Sequence, residues 1–174
     1  VHALAHKYVE YFRLDETPHV QIFEIDTSLV RNDPEATAQR FDYAPNLLNR
    51  KFKIGFSTVH RDPITGKIER DNCVEVRTND AGGVPIIEND KVAAFQLYVG
   101  GGMGEKNGKP TFSAHSQPLG IVAPENLQTA LDAIVKVHQE YGDRKNRHWA
   151  RLKYVVQAMG TDWYRDQVNA LGAG

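Results

Sequence analysis

Two periodicities divide this chain, and their order is the strongest restriction on its fold. Between residues 51 and 99 apolar and polar residues alternate in short runs, whereas from Pro124 onward apolar residues recur at helical spacing. Strands gathered ahead of helices, rather than interleaved with them, imply an α+β domain: a mixed, largely antiparallel sheet with helices on one face. The alternation predicts strands over 51–59, 72–79, 84–88 and 91–99. Between the first two, residues 61–67 carry Asp-Pro and Gly and read as a hairpin tip; Asn89-Asp90 reads as the tight turn joining the last two. A glycine-rich run, residues 100–104, leads into irregular chain as far as Val122. Three helices follow. Pro124 suits a first turn, and Leu127, Leu131, Ile134, Val137 and Tyr141 line one face until Gly142 stops it. The second helix is expected over about 147–159, ended by Gly160, and Thr161 caps a third running to about Leu171.

Ahead of the sheet, Leu4, Ala5, Tyr8, Val9 and Phe12 predict a helix to about Leu14, then a strand over 19–26 and a turn-rich connector over 27–49. The helical pattern opens at Val1 without a cap, so both ends read as cuts through a longer polypeptide, with 1–174 as a single domain. Its parts are the helix, strand and connector of 1–49, the sheet of 50–104 and the helical 123–174. A formal net charge of −1 supplies no global field for nucleic acid or membrane, so neither is expected as a partner. Any anion site must therefore be a local cluster. The single cysteine, Cys73, excludes an internal disulfide and a four-thiolate metal site within the chain. One thiol also fits a reducing compartment: the cytoplasm, or a plastid stroma for a plant source.

The sharpest local signal is Arg50-Lys51-Phe52-Lys53-Ile54-Gly55-Phe56. On a strand Phe52, Ile54 and Phe56 point one way and Lys51 and Lys53 the other, with the lysine Cα atoms ~6.6 Å apart. Two ammonium groups so placed can converge on one small anion, although the same pattern also occurs on solvated strand faces. A second signal is the basic cluster Arg144, Lys145, Arg147, Arg151 and Lys153 at the expected start of the second helix. Arg147 and Arg151, four apart, would share a helix face, and a helix N-terminus favours carboxylates or phosphates. A solvated helix edge would look the same. The glycine run is neither a P-loop nor GxGxxG, and fits a tight turn beneath a packed helix. His2, His6 and Glu10 have helical spacing for three ligands, but without HExxH they read as a solvated face, and no metal site is assigned. No nucleophile–base pair can be assembled from the remaining histidines and Cys73.

Taken in order, Arg50-Lys51-Phe52-Lys53, Asn79-Asp80, residues 95–104 (FQLYVGGGMG), Pro118-Leu119-Gly120, residues 142–147 (GDRKNR) and residues 151–154 (RLKY) resemble the middle of siroheme-dependent sulfite reductase. The ferredoxin-dependent assimilatory type is the most similar. The resemblance covers about residues 50–171; earlier residues match only in their helix–strand order. It implies the nitrite/sulfite reductase 4Fe-4S-domain-like fold, as the first-half copy of that domain, which carries no cluster. It also implies siroheme, a carboxylate-rich macrocycle, and a [4Fe-4S] cluster whose ligands lie outside this chain. Lys51 and Lys53 match the lysines that contact the iron-bound anion; Arg151, Arg147 and Arg50 match positions against siroheme. The implied reaction is six-electron reduction of sulfite to sulfide. Implied partners are sulfite, the remaining halves of the enzyme and an electron donor, either ferredoxin or a flavoprotein reductase. The fragment alone is expected to be inactive.

The sequence departs from the family at Asn49, where Pro is usual, at Ala114, where Arg is common, and over 61–70, which reads as an insertion of about ten residues. The nearest rival is siroheme nitrite reductase, converting nitrite to ammonia, but there the second lysine is typically Asn after Trp, so Lys53 after Phe52 favours sulfite. A non-catalytic structural paralogue would have no reason to align cations. An RNA- or phosphate-binding module on 144–153 would lack an aromatic strand platform.

Overall fold

The computed structural model describes residues 2–13, 41–43, 47–71, 74–106, 109–110 and 112–173. The chain forms two compact units, one over His2–Asp42 and one from Tyr43 to Gly174. In the first, α1 spans His2–Tyr11. The Phe41 N–H closes onto the Tyr11 carbonyl at 2.9 Å, and the rings of Tyr11, Phe12 and Phe41 pack together with centroids 5.0–6.3 Å apart. The expected strand over 19–26 lies outside the described residues, as does most of the 27–49 connector.

The second unit is built on a four-stranded sheet in the order β1-β4-β5-β8. These strands are β1 Ile54–Phe56, β4 Ala81–Glu88, β5 Lys91–Val99 and β8 Gln117–Val122. β1 runs parallel to β4, and the other pairs are antiparallel. The fold is therefore α+β with a mixed, largely antiparallel sheet. β4 and β5 are joined at Asn89-Asp90, with φ of 50° and 58°. Two successive left-handed residues match the type I′ twist of a two-residue hairpin, which Asn and Asp tolerate best after glycine.

Three strand expectations change. The run over 51–59 is split: β1 begins only at Ile54, and β2 Thr58–Arg61 leaves the sheet to pair with β3 Ile68–Asp71. The strand expected over 72–79 is a 3₁₀ turn at Val76–Thr78. There the Glu75 carboxylate accepts from Arg77 N, and Asn79 Nδ2 donates to the Glu75 and Val76 carbonyls. Such local side-chain bonds compete with a ladder. Conversely, β8 lies in chain expected to be irregular, because Pro118 and Gly120 mask it. β8 is a sheet edge, where proline costs little. A short ribbon, β6 Glu105–Lys106 with β7 Lys109–Pro110, precedes it.

Phe95, Leu97 and Val99 alternate into the core with at most 8% exposure, while Gln96 and Tyr98 between them stay half-buried. Helix α3, Leu152–Met159, packs on β5 and α4, Thr161–Val168, on β8. Helix α2, Leu127–Tyr141, turns Leu127, Leu131, Ile134 and Val137 inward as its spacing predicts. Tyr141, expected on that face, is 44% exposed and meets Trp163 edge-on at 4.9 Å. Tyr164 is wholly buried and donates to the Ile134 carbonyl at 2.7 Å, tying α4 to α2. Gly160, at φ 88°, takes the cap position expected of Thr161, which becomes the first helical residue.

Candidate functional site

Two segments far apart in sequence run beside one another, and all five candidate basic residues lie on them. Asn49 Nδ2 donates to the Asp143 carbonyl at 2.7 Å, and Arg50 Nη1 to the Arg147 carbonyl at 2.9 Å. Lys51 is exposed and Lys53 half-buried. Among the described residues neither ammonium forms a hydrogen bond, and Arg147 is likewise exposed with its guanidinium unengaged. Phe56 is buried edge-on to Phe95, and the Phe52 ring lies 5.6 Å from that of His138. Phe52, Lys53 and Ile54 are alike half-buried and residues 51–53 precede β1, so the strand alternation expected over 51–53 is not formed there.

What positions Lys53 is a carboxylate. Asp80, 1% exposed, accepts the Lys53 backbone N–H on Oδ2 at 3.0 Å, where a strand would use a carbonyl. The Lys53 carbonyl accepts from Ala81 N at 3.1 Å. The other Asp80 oxygen, Oδ1, accepts from Arg151 Nε at 3.2 Å and Nη2 at 2.8 Å. Burial pushes the Asp80 carboxyl above its ordinary pKa; the Arg151 charge and its hydrogen bond, then the Lys53 N–H, pull it back. The guanidinium fills the space beside Gly102, where a Cβ would sit 2.8 Å from Nη1. This close approach is what the glycine run accommodates here.

The basic cluster over 144–153 is not one helical patch. α3 begins at Leu152, so Arg151 is its extended N-cap residue and Arg147 sits in a preceding turn. The reason is local: Asp143 Oδ1 accepts from Lys145 N and Asn146 N, and Asn146 Oδ1 from His148 N. These short side-chain bonds hold the backbone out of the helix. Two of the five cations in this cluster, Arg144 and Lys153, donate to main-chain carbonyls. Arg144 donates to the Leu47 and Gln139 carbonyls, each at 2.7 Å. Lys153, 2% exposed, donates to Met103 and Phe112 and lies over the Phe112 and Tyr154 rings. Burial, then Arg151, lowers the Lys153 pKa, while Asp80 opposes. Behind Phe52, His138 is 1% exposed with its Nδ1 unpartnered among the described residues, and burial pushes its pKa down to about 4, helped by Arg144 and Arg151.

Sequence reasoning did not single out Asp80 or His138 for a role. Asp80 appears only as half of an Asn-Asp pair, and an acid's burial has no local signature. An apolar groove of about 410 Å³ lined by Tyr141, Trp149, Tyr154 and Met159 includes none of the five candidate residues. Among the described residues no three His, Cys, Asp or Glu side chains come together as a metal site, and Cys73, the single cysteine, cannot alone hold a four-thiolate cluster.

Residues 11–172 match the model of the family described as "Nitrite and sulphite reductase 4Fe-4S domain". The chain is 32% identical over 146 residues to the sulfite reductase [NADPH] hemoprotein beta-component of Afipia carboxidovorans, covering 83% of the chain and 23% of that protein. It is 36% identical over 132 residues to the sulfite reductase [ferredoxin] of Synechococcus elongatus, covering 74% and 19%. The NirA protein of Mycobacterium tuberculosis superposes at a TM-score of 0.46 with 23% identity, over 54% of this chain and 16% of that one. The chain thus spans about a fifth of the length of these relatives.

Proposed function

The chain belongs to the nitrite and sulphite reductase 4Fe-4S domain family, and from that premise we propose that it forms part of a siroheme-dependent sulfite reductase. In this reading Lys51 and Lys53 bind the sulfite anion, and Arg50, Arg147 and Arg151 bind siroheme carboxylates. The remaining halves of the enzyme supply the [4Fe-4S] ligands, and the electron donor is a ferredoxin or a flavoprotein reductase. The observation that carries it is the pair Lys51 and Lys53 beside the Asp80–Arg151 ion pair, with neither ammonium held in a hydrogen bond or ion pair among the described residues. Like charges held close repel unless an anion joins them. Guanidinium groups also suit the planar, two-oxygen geometry of carboxylates. Arg147, and the N–H groups of Arg50 beyond Nη1, provide such donors.

Siroheme, when bound, delivers electrons to the anion. The work of this chain is electrostatic. Ammonium groups beside the sulfite oxygens stabilise the negative charge that grows as S–O bonds weaken, and each can hand a proton to a departing oxygen. In the complete enzyme Lys53→Met is expected to lower sulfite turnover per siroheme by ~10²–10³-fold while siroheme content stays normal. Lys53→Asn should move the preference toward nitrite. Wild-type turnover per siroheme in Lys53→Met would make Lys53 a surface residue and defeat the reading.

A further inference from the structure

Asp80 is placed to do more than fill a buried position. Its two oxygens are divided between partners 98 residues apart in sequence: Oδ2 holds the main chain of Lys53, and Oδ1 holds the guanidinium of Arg151. With Ala81 N on the Lys53 carbonyl, residues 80 and 81 fix both main-chain polar groups of Lys53. Asp80 is itself fixed, since its own carbonyl accepts from Gly100 N at 2.8 Å. The Arg151 side chain is only partly buried, at 20% exposure against 1% for Asp80. One edge of the guanidinium is therefore committed to Asp80 while the residue still reaches solvent.

We propose that Asp80 is a positioning residue that joins the Lys53 substrate contact to the Arg151 siroheme contact through one buried carboxylate. The inference rests on the roles given above to Lys53 and Arg151. Its consequence is that sulfite affinity depends on the Asp80–Arg151 pair, although neither residue touches sulfite. Asp80→Asn separates this from a filling role, because asparagine keeps the shape and one acceptor oxygen. That oxygen can serve Lys53 or Arg151 but not both, and the amide NH₂ then faces the other donor.

The test uses the complete siroheme enzyme. Sulfite affinity is read by titrating the siroheme absorbance, siroheme occupancy by the same absorbance per protein, and folding by thermal unfolding. Asp80→Asn is expected to weaken sulfite binding per siroheme by about 10–100-fold, the loss of a charge-assisted hydrogen bond. Placed on Lys53→Met, it should add less than about twofold, since residues acting through one contact are not additive. If Asp80→Asn does not accumulate as folded protein, Asp80→Asn/Arg151→Gln leaves no unpaired buried charge, and the same loss is expected from it. Wild-type affinity in either variant overturns the inference, as does a full further loss on top of Lys53→Met. Should Lys53→Met itself bind sulfite normally, the substrate role of Lys53 fails and takes the inference with it. A normal Lys53 effect with a silent Asp80→Asn sinks the inference alone.

Discussion

Arg151 illustrates how much a side chain's partner changes what its loss means. Removing it strands the Asp80 carboxylate, 1% exposed, without its counter-charge. Arg151→Ala is therefore expected to destabilise the fold by ~3 kcal/mol, and Asp80→Asn added to it should recover part of that loss in chemical denaturation. His138 makes the matching case for pH. Its pKa of about 4 in the fold lies below the ordinary value of 6.5, so the unfolded chain binds the extra proton between those two values. Stability contributed by the neutral ring is complete above pH 6.5 and drains away as pH falls toward 4, by roughly 3 kcal/mol. His138→Gln should flatten that part of the stability–pH curve, measured by urea unfolding at pH 4.5 and pH 7. Lys51 and Lys53 stood out in the sequence because two cations flank Phe52 within a short apolar run. Asp80 and His138 did not, since their importance comes from burial by residues far along the chain.

Among elements, the ones written in local chemistry could be read and the ones set by partners could not. The Asn89-Asp90 hairpin and the inward face of α2 follow from turn residues and spacing. The 3₁₀ turn at Val76–Thr78 alternates like a strand, and β8 carries residues that a strand usually avoids. The start of α3 shifted because Asp143 and Asn146 captured N–H groups ahead of it. The junction of α3 and α4 depends on a single backbone conformation, Gly160 at φ 88° and ψ 157°. A Cβ there meets nothing within 4 Å, so space is not the issue. That region is open essentially to glycine alone, and Gly160→Ala is expected to cost ~1–3 kcal/mol in thermal or urea unfolding. No loss would mean the two helices can rejoin through another geometry.

At the level of the molecule, the candidate site is assembled from residues 50–53 and 143–151, held together by Asn49, Arg50 and Arg151. Each segment was recognisable alone, and only the fold shows them meeting. The family's name includes a 4Fe-4S domain, yet this chain has one thiol. Anaerobic reconstitution of the chain with iron and sulfide should load far less than one cluster per chain, as counted by iron analysis, and Cys73→Ala should not change the result. Stoichiometric cluster loading would reverse the division of labour proposed for the two halves. The β2–β3 hairpin has a different kind of value. β2 and β3 form a two-stranded ladder of their own, with Ile68 N donating to Asp90 Oδ1 at 3.2 Å, and at their tip Asp62 caps Ile64 N and Thr65 N while Ile64 stands 92% exposed. A fluorophore on Ile64→Cys, in a Cys73→Ala background, would thus ride outside the four-stranded sheet as a reporter, letting donor docking be followed by energy transfer without perturbing the lysines.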